Sequence, residues 1–185
     1  RFAGGLRAGD SLEVVGPRGV VEPVLDAALA FLHAVTQSAG PPVVARCLAP
    51  GESWENGSYR LETCAMIHPF PGLCLRITDL KTGAVMAFSG DTAYNGEFAS
   101  LAAGADVLIH EATLGATAPE WDQDGHCGGL EAAKVAAAAG VGQLLLSHMP
   151  RARRLPALTA AQRVFPAVAL LEDGDSVEVV HQYQG

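Results

Sequence analysis

Several features are missing from this 185-residue chain, and each absence narrows the reading. No apolar run is long enough to span a bilayer, and no signal peptide is visible, so no membrane partner is expected and a cytoplasmic protein is. The four cysteines, Cys47, Cys64, Cys74 and Cys127, form no CxxC pair. They read as reduced, mostly buried thiols in an intracellular protein. Cations are outnumbered, 12 Lys and Arg against 20 Asp and Glu, and the net charge of -8 argues against a general nucleic-acid coat, although a local basic patch is compatible with it. There is no internal repeat, no low-complexity run and no second domain, so residues 1–185 read as one domain or most of one. The chain opens on Arg1 rather than Met, and Phe2-Ala3-Gly4-Gly5 looks like the middle of something. The start is therefore read as processed, or as the later part of a longer chain.

Apolar content is ample for a core, at 49%. Ser11 to Val15 reads as a strand and Gly16-Pro17-Arg18-Gly19 as a turn. From Glu22 to Val35 the apolar residues Val24, Leu25, Ala28, Leu29, Leu32 and Val35 recur at helical spacing, with His33 off the stripe. Gly40-Pro41-Pro42 breaks that helix, and Val43 to Leu48 is a strand. Pro50-Gly51-Glu52 is a turn. Tyr59 to Ile67 is a strand that runs into the core and stops at His68-Pro69. Leu73 to Thr78, a Lys81-Thr82-Gly83 turn and Val85 to Phe88 make a hairpin. Beyond Asp91 helices and strands alternate. Helices are expected at Phe98 to Ala103, Gly129 to Ala139 and Pro156 to Val164. Strands are expected at Ala105 to His110, Gln143 to Ser147 and Val168 to Leu171, with a last one at Ser176 to Val180 after an Asp173-Gly174 turn. Leu114 to Gly125 is a loop with an acidic cluster of Glu120, Asp122 and Asp124. The class is α/β, helices covering a sheet.

The chemistry collects at strand ends. Val85-Met86-Ala87-Phe88 ends in Ser89-Gly90-Asp91-Thr92, Val107-Leu108-Ile109 in His110-Glu111, and Leu144-Leu145-Leu146-Ser147 in His148. His68 also follows an apolar strand. His68, Asp91 and His148 can thus meet on one rim of a sheet and offer nitrogen and oxygen donors to a metal such as zinc. Singly, an Asp at a strand tip is often only a turn or cap, and a His before Pro a satisfied loop residue. Glu111 can orient a ligand histidine from behind, and His110 reads either as its companion or as a core histidine. His126, flanked by glycines, can give a proton to a leaving group or simply cap a helix. Cys127 has no readable base beside it to make it a nucleophile. Arg151, Arg153 and Arg154 are the one basic cluster near the rim, either a dock for an anionic group or a solvated loop.

Phe88-Ser89-Gly90-Asp91-Thr92, Ile109-His110-Glu111-Ala112-Thr113, Gly125-His126 before an Ala-rich helix, and Leu144-Leu145-Leu146-Ser147-His148 together resemble the second half of metallo-β-lactamase-fold hydrolases, in particular the ribonuclease Z-like branch. The resemblance covers roughly Tyr59 to Val180. It implies an αβ/βα sandwich, here lacking its N-terminal part, with two zinc ions per complete site, manganese or iron(II) being alternatives. It makes His68 and His148 ligands and Asp91 the carboxylate between the metals. His110 and Glu111 would support the catalytic histidine, His126 would assist the leaving group, and a zinc-bound hydroxide would attack a phosphodiester or related ester. The family's His-x-His-x-Asp-His string is absent, and the resemblance places it upstream of Gly16-Pro17, so this chain alone is expected to be inactive. The arm that ribonuclease Z enzymes insert between the positions of His68 and Asp91 is absent too, and His126-Cys127-Gly128 replaces a His-Ser-Thr string. The leading expectation is a zinc-dependent phosphodiesterase-like hydrolase. Its expected partners are a small anionic substrate or an RNA end, and a second copy of the chain in a homodimer. The alternatives are a tRNA 3′-end endonuclease and a non-catalytic module that kept the fold.

Overall fold

The computed structural model describes residues 11–36, 42–119 and 124–181. Glu120 and Asp122 of the expected acidic cluster, the first ten residues, and Gly40 and Pro41 of the expected helix break lie outside them. The chain forms two compact units, Arg1–Ala49 and Pro50–Gly185. Among the described residues, no helix is long and apolar enough to cross a membrane.

In the first unit, β1 (Leu12–Pro17) and β2 (Val43–Leu48) pair in parallel through the crossover helix α1 (Val21–Thr36). The stripe expected on α1 is only partly used. Val21 is buried and Leu25 and Leu29 half-buried, while Val24, Leu32 and Val35 are exposed.

The second unit is a seven-stranded sheet ordered as in the sequence: β3 (Ser53–Glu55), β4 (Tyr59–Ala65), β5 (Leu73–Asp79), β6 (Val85–Phe88), β7 (Val107–Glu111), β8 (Gln143–Ser147) and β9 (Val168–Leu170). β3 through β6 run antiparallel and β6 through β9 parallel. The parallel half needs crossovers, and the helices α2 (Gly96–Leu101), α3 (Gly129–Ala139) and α4 (Arg154–Gln162) supply them. One core joins these helices to the sheet. It contains Ala87, Leu108, Leu144 and Leu146 from the strands and Phe98, Ala132, Val135, Ala136, Ala157 and Ala161 from the helices.

Local chemistry explains the helix ends. Asn95 caps α2 by accepting from the amides of Glu97 and Phe98, both at 3.1 Å, so α2 starts two residues before the expected Phe98. Glu131 reaches back to the Gly128 amide at 3.0 Å, and α3 stops at Gly140, which is left-handed. A 3-10 turn at Arg151–Arg153 starts α4 two residues before Pro156.

Two expectations are corrected. The short edge strand β3 was not expected. The strand expected at Ser176 to Val180 does not form, although the Asp173-Gly174 turn does, held by the Glu172 amide on Asp175 at 2.8 Å. Val177 and Val180 are exposed there, so pairing would have buried little apolar surface against β9, itself only three residues long. The expected thiols match: all four cysteines are free, with Cys64, Cys74 and Cys127 buried.

Candidate metal centre

The tips of β4, β6, β7 and β8 and the loop before α3 meet at one end of the second unit. Cys64 and Cys74 are paired across β4 and β5, and the Cys74 thiol donates to the Ser89 carbonyl at 3.0 Å, tying the sheet to the turn after β6. That turn depends on Gly90, which has φ +60°, a conformation that side chains disfavour, and a Cβ there would also displace the Met66 side chain, whose sulfur would be 2.5 Å away. Ser89 and Thr92 on either side are buried and structural. The Ser89 hydroxyl accepts from the Glu111 amide at 3.0 Å, and that of Thr92 from the Ile67 amide at 2.9 Å. Asp91 supplies the string's one carboxylate to the site.

His68 leaves the end of β4, and its loop is joined to the Asp91 loop a second time by the Ala93 amide on Ile67 O at 3.0 Å. Its Nδ1 lies 3.4 Å from the Phe70 carbonyl and 3.2 Å from the Phe70 amide. The tautomer that donates to the carbonyl frees Nε2 for a ligand role. His126 comes from the loop before α3, where Gly125 adopts φ +75° and passes against the backbone of Ile67 and His68. One ligand atom each from His68, Asp91 and His126 lies within 4.8 Å of the others. The His68 and His126 rings meet edge-on at 5.1 Å, and the His148 ring is 6.4 Å from that of His126. His148 Nε2 lies 3.4 Å from Asp91 Oδ1. His148 has φ +51°, the one such non-glycine among the described residues, and the Thr113 hydroxyl holds its carbonyl at 3.0 Å.

Glu111 ties these loops together. Its Oε1 accepts from His126 Nδ1 at 3.0 Å, the Cys127 amide at 2.9 Å and the Thr92 amide at 3.2 Å, and its Oε2 accepts from the Thr113 amide at 2.7 Å. With Nδ1–H engaged, His126 presents Nε2 to the site. Nitrogen and oxygen donors at this spacing, partly open to solvent, suit a divalent transition metal.

Other sequence candidates do not join this group of ligand atoms. The His110 imidazole is 0% exposed and packs against Phe98 at 5.9 Å. Burial pushes its pKa below the ordinary value, partly opposed by its bond to the Glu111 carbonyl, and Nε2 has no partner among the described residues. Cys127 is buried. Of the three arginines, Arg153 is spent on the Thr113 carbonyl at 2.8 Å and Arg154 on Glu172 and the Leu171 carbonyl, each at 2.7 Å. Arg151 is exposed and lines the same cavity as Asp91 and His148. Sequence reasoning passed over Phe70, which stands beside His68. Its placement between two prolines just after a candidate ligand was the available signal.

A family model described as a beta-lactamase superfamily domain matches residues 4–149. An uncharacterized protein of Mycobacterium tuberculosis, Rv1339, is 46% identical over 94 residues, covering 51% of this chain and 34% of its own length. A ribonuclease Z of Methanothermobacter thermautotrophicus is 40% identical over 102 residues, 54% of this chain and 33% of its own. The chain thus spans about a third of the length of these curated relatives. Among solved structures, the metallo-beta-lactamase fold protein YhfI of Bacillus subtilis superposes with a TM-score of 0.71 at 25% identity, over 91% of this chain and 65% of that one.

Proposed function

From the membership of this chain in the beta-lactamase superfamily, a hydrolase family that includes ribonuclease Z, we propose that it carries part of the active site of a metal-dependent hydrolase of phosphodiesters or related esters, with zinc as the metal. The observation that carries this reading is the convergence of His68, Asp91 and His126, with His148 beside Asp91, over a Glu111 that fixes His126. Bound metal there supplies Lewis acidity toward a phosphoryl oxygen and lowers the pKa of a bound water.

The protein's own residues do the rest. His68, Asp91 and His148 hold the centre. His126, with its Nδ1 proton on Glu111, carries a proton at Nε2 toward the leaving oxygen, and the buried carboxylate stabilises the imidazolium and fixes its orientation. Arg151, exposed and lining the same cavity as Asp91 and His148, faces the substrate's charge. β5, a tight turn and β6 fill the interval between His68 and Asp91, leaving no arm to grip a tRNA, which favours a small diester over a tRNA end.

The test is hydrolysis of bis(p-nitrophenyl) phosphate by the full-length protein, purified without chelator and assayed for metal by elemental analysis. Metal together with turnover, and loss of both in D91A, supports the reading. Metal-free, inactive protein returns the non-catalytic module.

A further inference from the structure

Among the described residues no large hydrophobic side chain is more exposed than Phe70, at 73%, and it stands beside the candidate metal centre, its ring centroid 5.7 Å from that of His68. An exposed aromatic on a loose loop would carry no argument, because single exposed apolar residues are ordinary. This loop is held tightly. Pro69 and Pro71 flank Phe70, fixing φ on either side and restricting Phe70 itself to extended backbone. Beneath, the chain at Gly125 lies so close that a Cβ there would stand 2.6 Å from Ile67 O, 2.7 Å from His68 Cα and 3.2 Å from Pro69 Cδ. The Ile67 amide is fastened to Thr92 and its carbonyl to Ala93. The Asp91 loop also shows an aromatic to solvent, Tyr94, 47% exposed. Two of the loops at the centre, those of His68 and Asp91, therefore present an aromatic residue to solvent within three positions of the candidate ligand.

A rigid, exposed ring beside a reacting centre is a stacking surface. We infer that Phe70 is a specificity-determining residue that stacks on an aromatic arm of the substrate, so that the protein selects phosphodiesters of nucleosides over those with small aliphatic arms. Stacking on such a platform tolerates any base, since every base has a π-face. The inference rests on the phosphodiester reading above.

Two diesters with the same leaving group test it on the full-length protein: thymidine 5′-(p-nitrophenyl) phosphate and methyl p-nitrophenyl phosphate. F70A is expected to lower kcat/KM for the thymidine ester about tenfold or more, mainly through KM, and to leave the methyl ester within about twofold. F70W is expected to restore the preference. Its added indole fluorescence, relative to wild type, is expected to be quenched by thymidine 5′-monophosphate and not by inorganic phosphate, a readout independent of turnover. Equal losses on both esters, or a fall in melting temperature without discrimination, overturn the stacking role and leave the hydrolase reading standing. Should wild type cleave neither ester, the hydrolase reading fails by itself, and quenching of F70W then decides whether Phe70 stacks a base.

Discussion

His126 Nδ1 lies 3.0 Å from Glu111 Oε1, and the same oxygen takes the amides of Cys127 and Thr92. One buried carboxylate therefore fixes the tautomer of a site histidine, the loop that carries it and the loop that carries Asp91. Three donors converge on one oxygen and a fourth on the other, which suits an ionised carboxylate and no neutral isostere.

E111Q places an amide NH2 against at least one backbone N–H and leaves a buried donor unpaired. It is expected to lower stability by about 1–3 kcal/mol and kcat by about 10–100-fold. Chemical denaturation and steady-state kinetics measure the two. A variant within error of wild type in both would contradict the role assigned to Glu111.

With Nδ1 on Glu111, His126 can use Nε2 either to bind metal or to carry a proton. In the proton role, H126N keeps the metal content of wild type while kcat falls by about 100-fold or more. H68A and D91A should lose metal. Elemental analysis separates the cases, and loss of metal in H126N would reassign His126 as a ligand.

Gly125 carries two constraints, φ +75° and backbone contact with Ile67 and His68. G125A is expected to cost at least about 2 kcal/mol and to weaken metal binding. G125N tolerates the left-handed backbone better but meets the same wall, so it should rescue little. Rescue by G125N would mean that conformation rather than contact is limiting.

Burial holds the His110 pKa in the folded protein below its ordinary value. As pH falls, the unfolded chain therefore takes up this proton first. The stability this residue contributes is fully present well above the unfolded value of about 6.5 and is lost below it, by up to about 1.4 kcal/mol per pH unit. Melting temperatures from pH 7.5 to 5.5, in chelator to remove metal linkage, should fall less steeply for H110N than for wild type, whatever its baseline stability. Parallel slopes would show that His110 does not titrate in this window.

Much of this unit was legible in the sequence because its apolar runs are sharply bounded. β6, α3 and β8 lie where Val85–Phe88, Gly129–Ala139 and Gln143–Ser147 place them, since turn or cap residues close each run. The nearness of His148 to Asp91 could be expected from strands ending in ligand-type residues, whereas the grouping of His126, read as a proton donor, with His68 and Asp91, and the use of Glu111, could not. Its four donors come from Thr92, Thr113, His126 and Cys127, and no local pattern announces bonds between such distant positions. β3 was illegible for a related reason. Ser53-Trp54-Glu55 has little strand character of its own, and its register against Arg60, Leu61 and Glu62 exists only once β4 is in place. The expected strand at Ser176 to Val180 failed in the opposite way, with β-branched residues present and no buried face to receive them.

Each strand of the second unit hydrogen-bonds only to its immediate predecessor and successor along the chain. No strand must be slipped between two that are already joined. As the polypeptide leaves the ribosome, this unit can accrete one strand at a time, from the antiparallel edge toward β9, with Asp91 and Glu111 laid down before His148 emerges to meet Asp91.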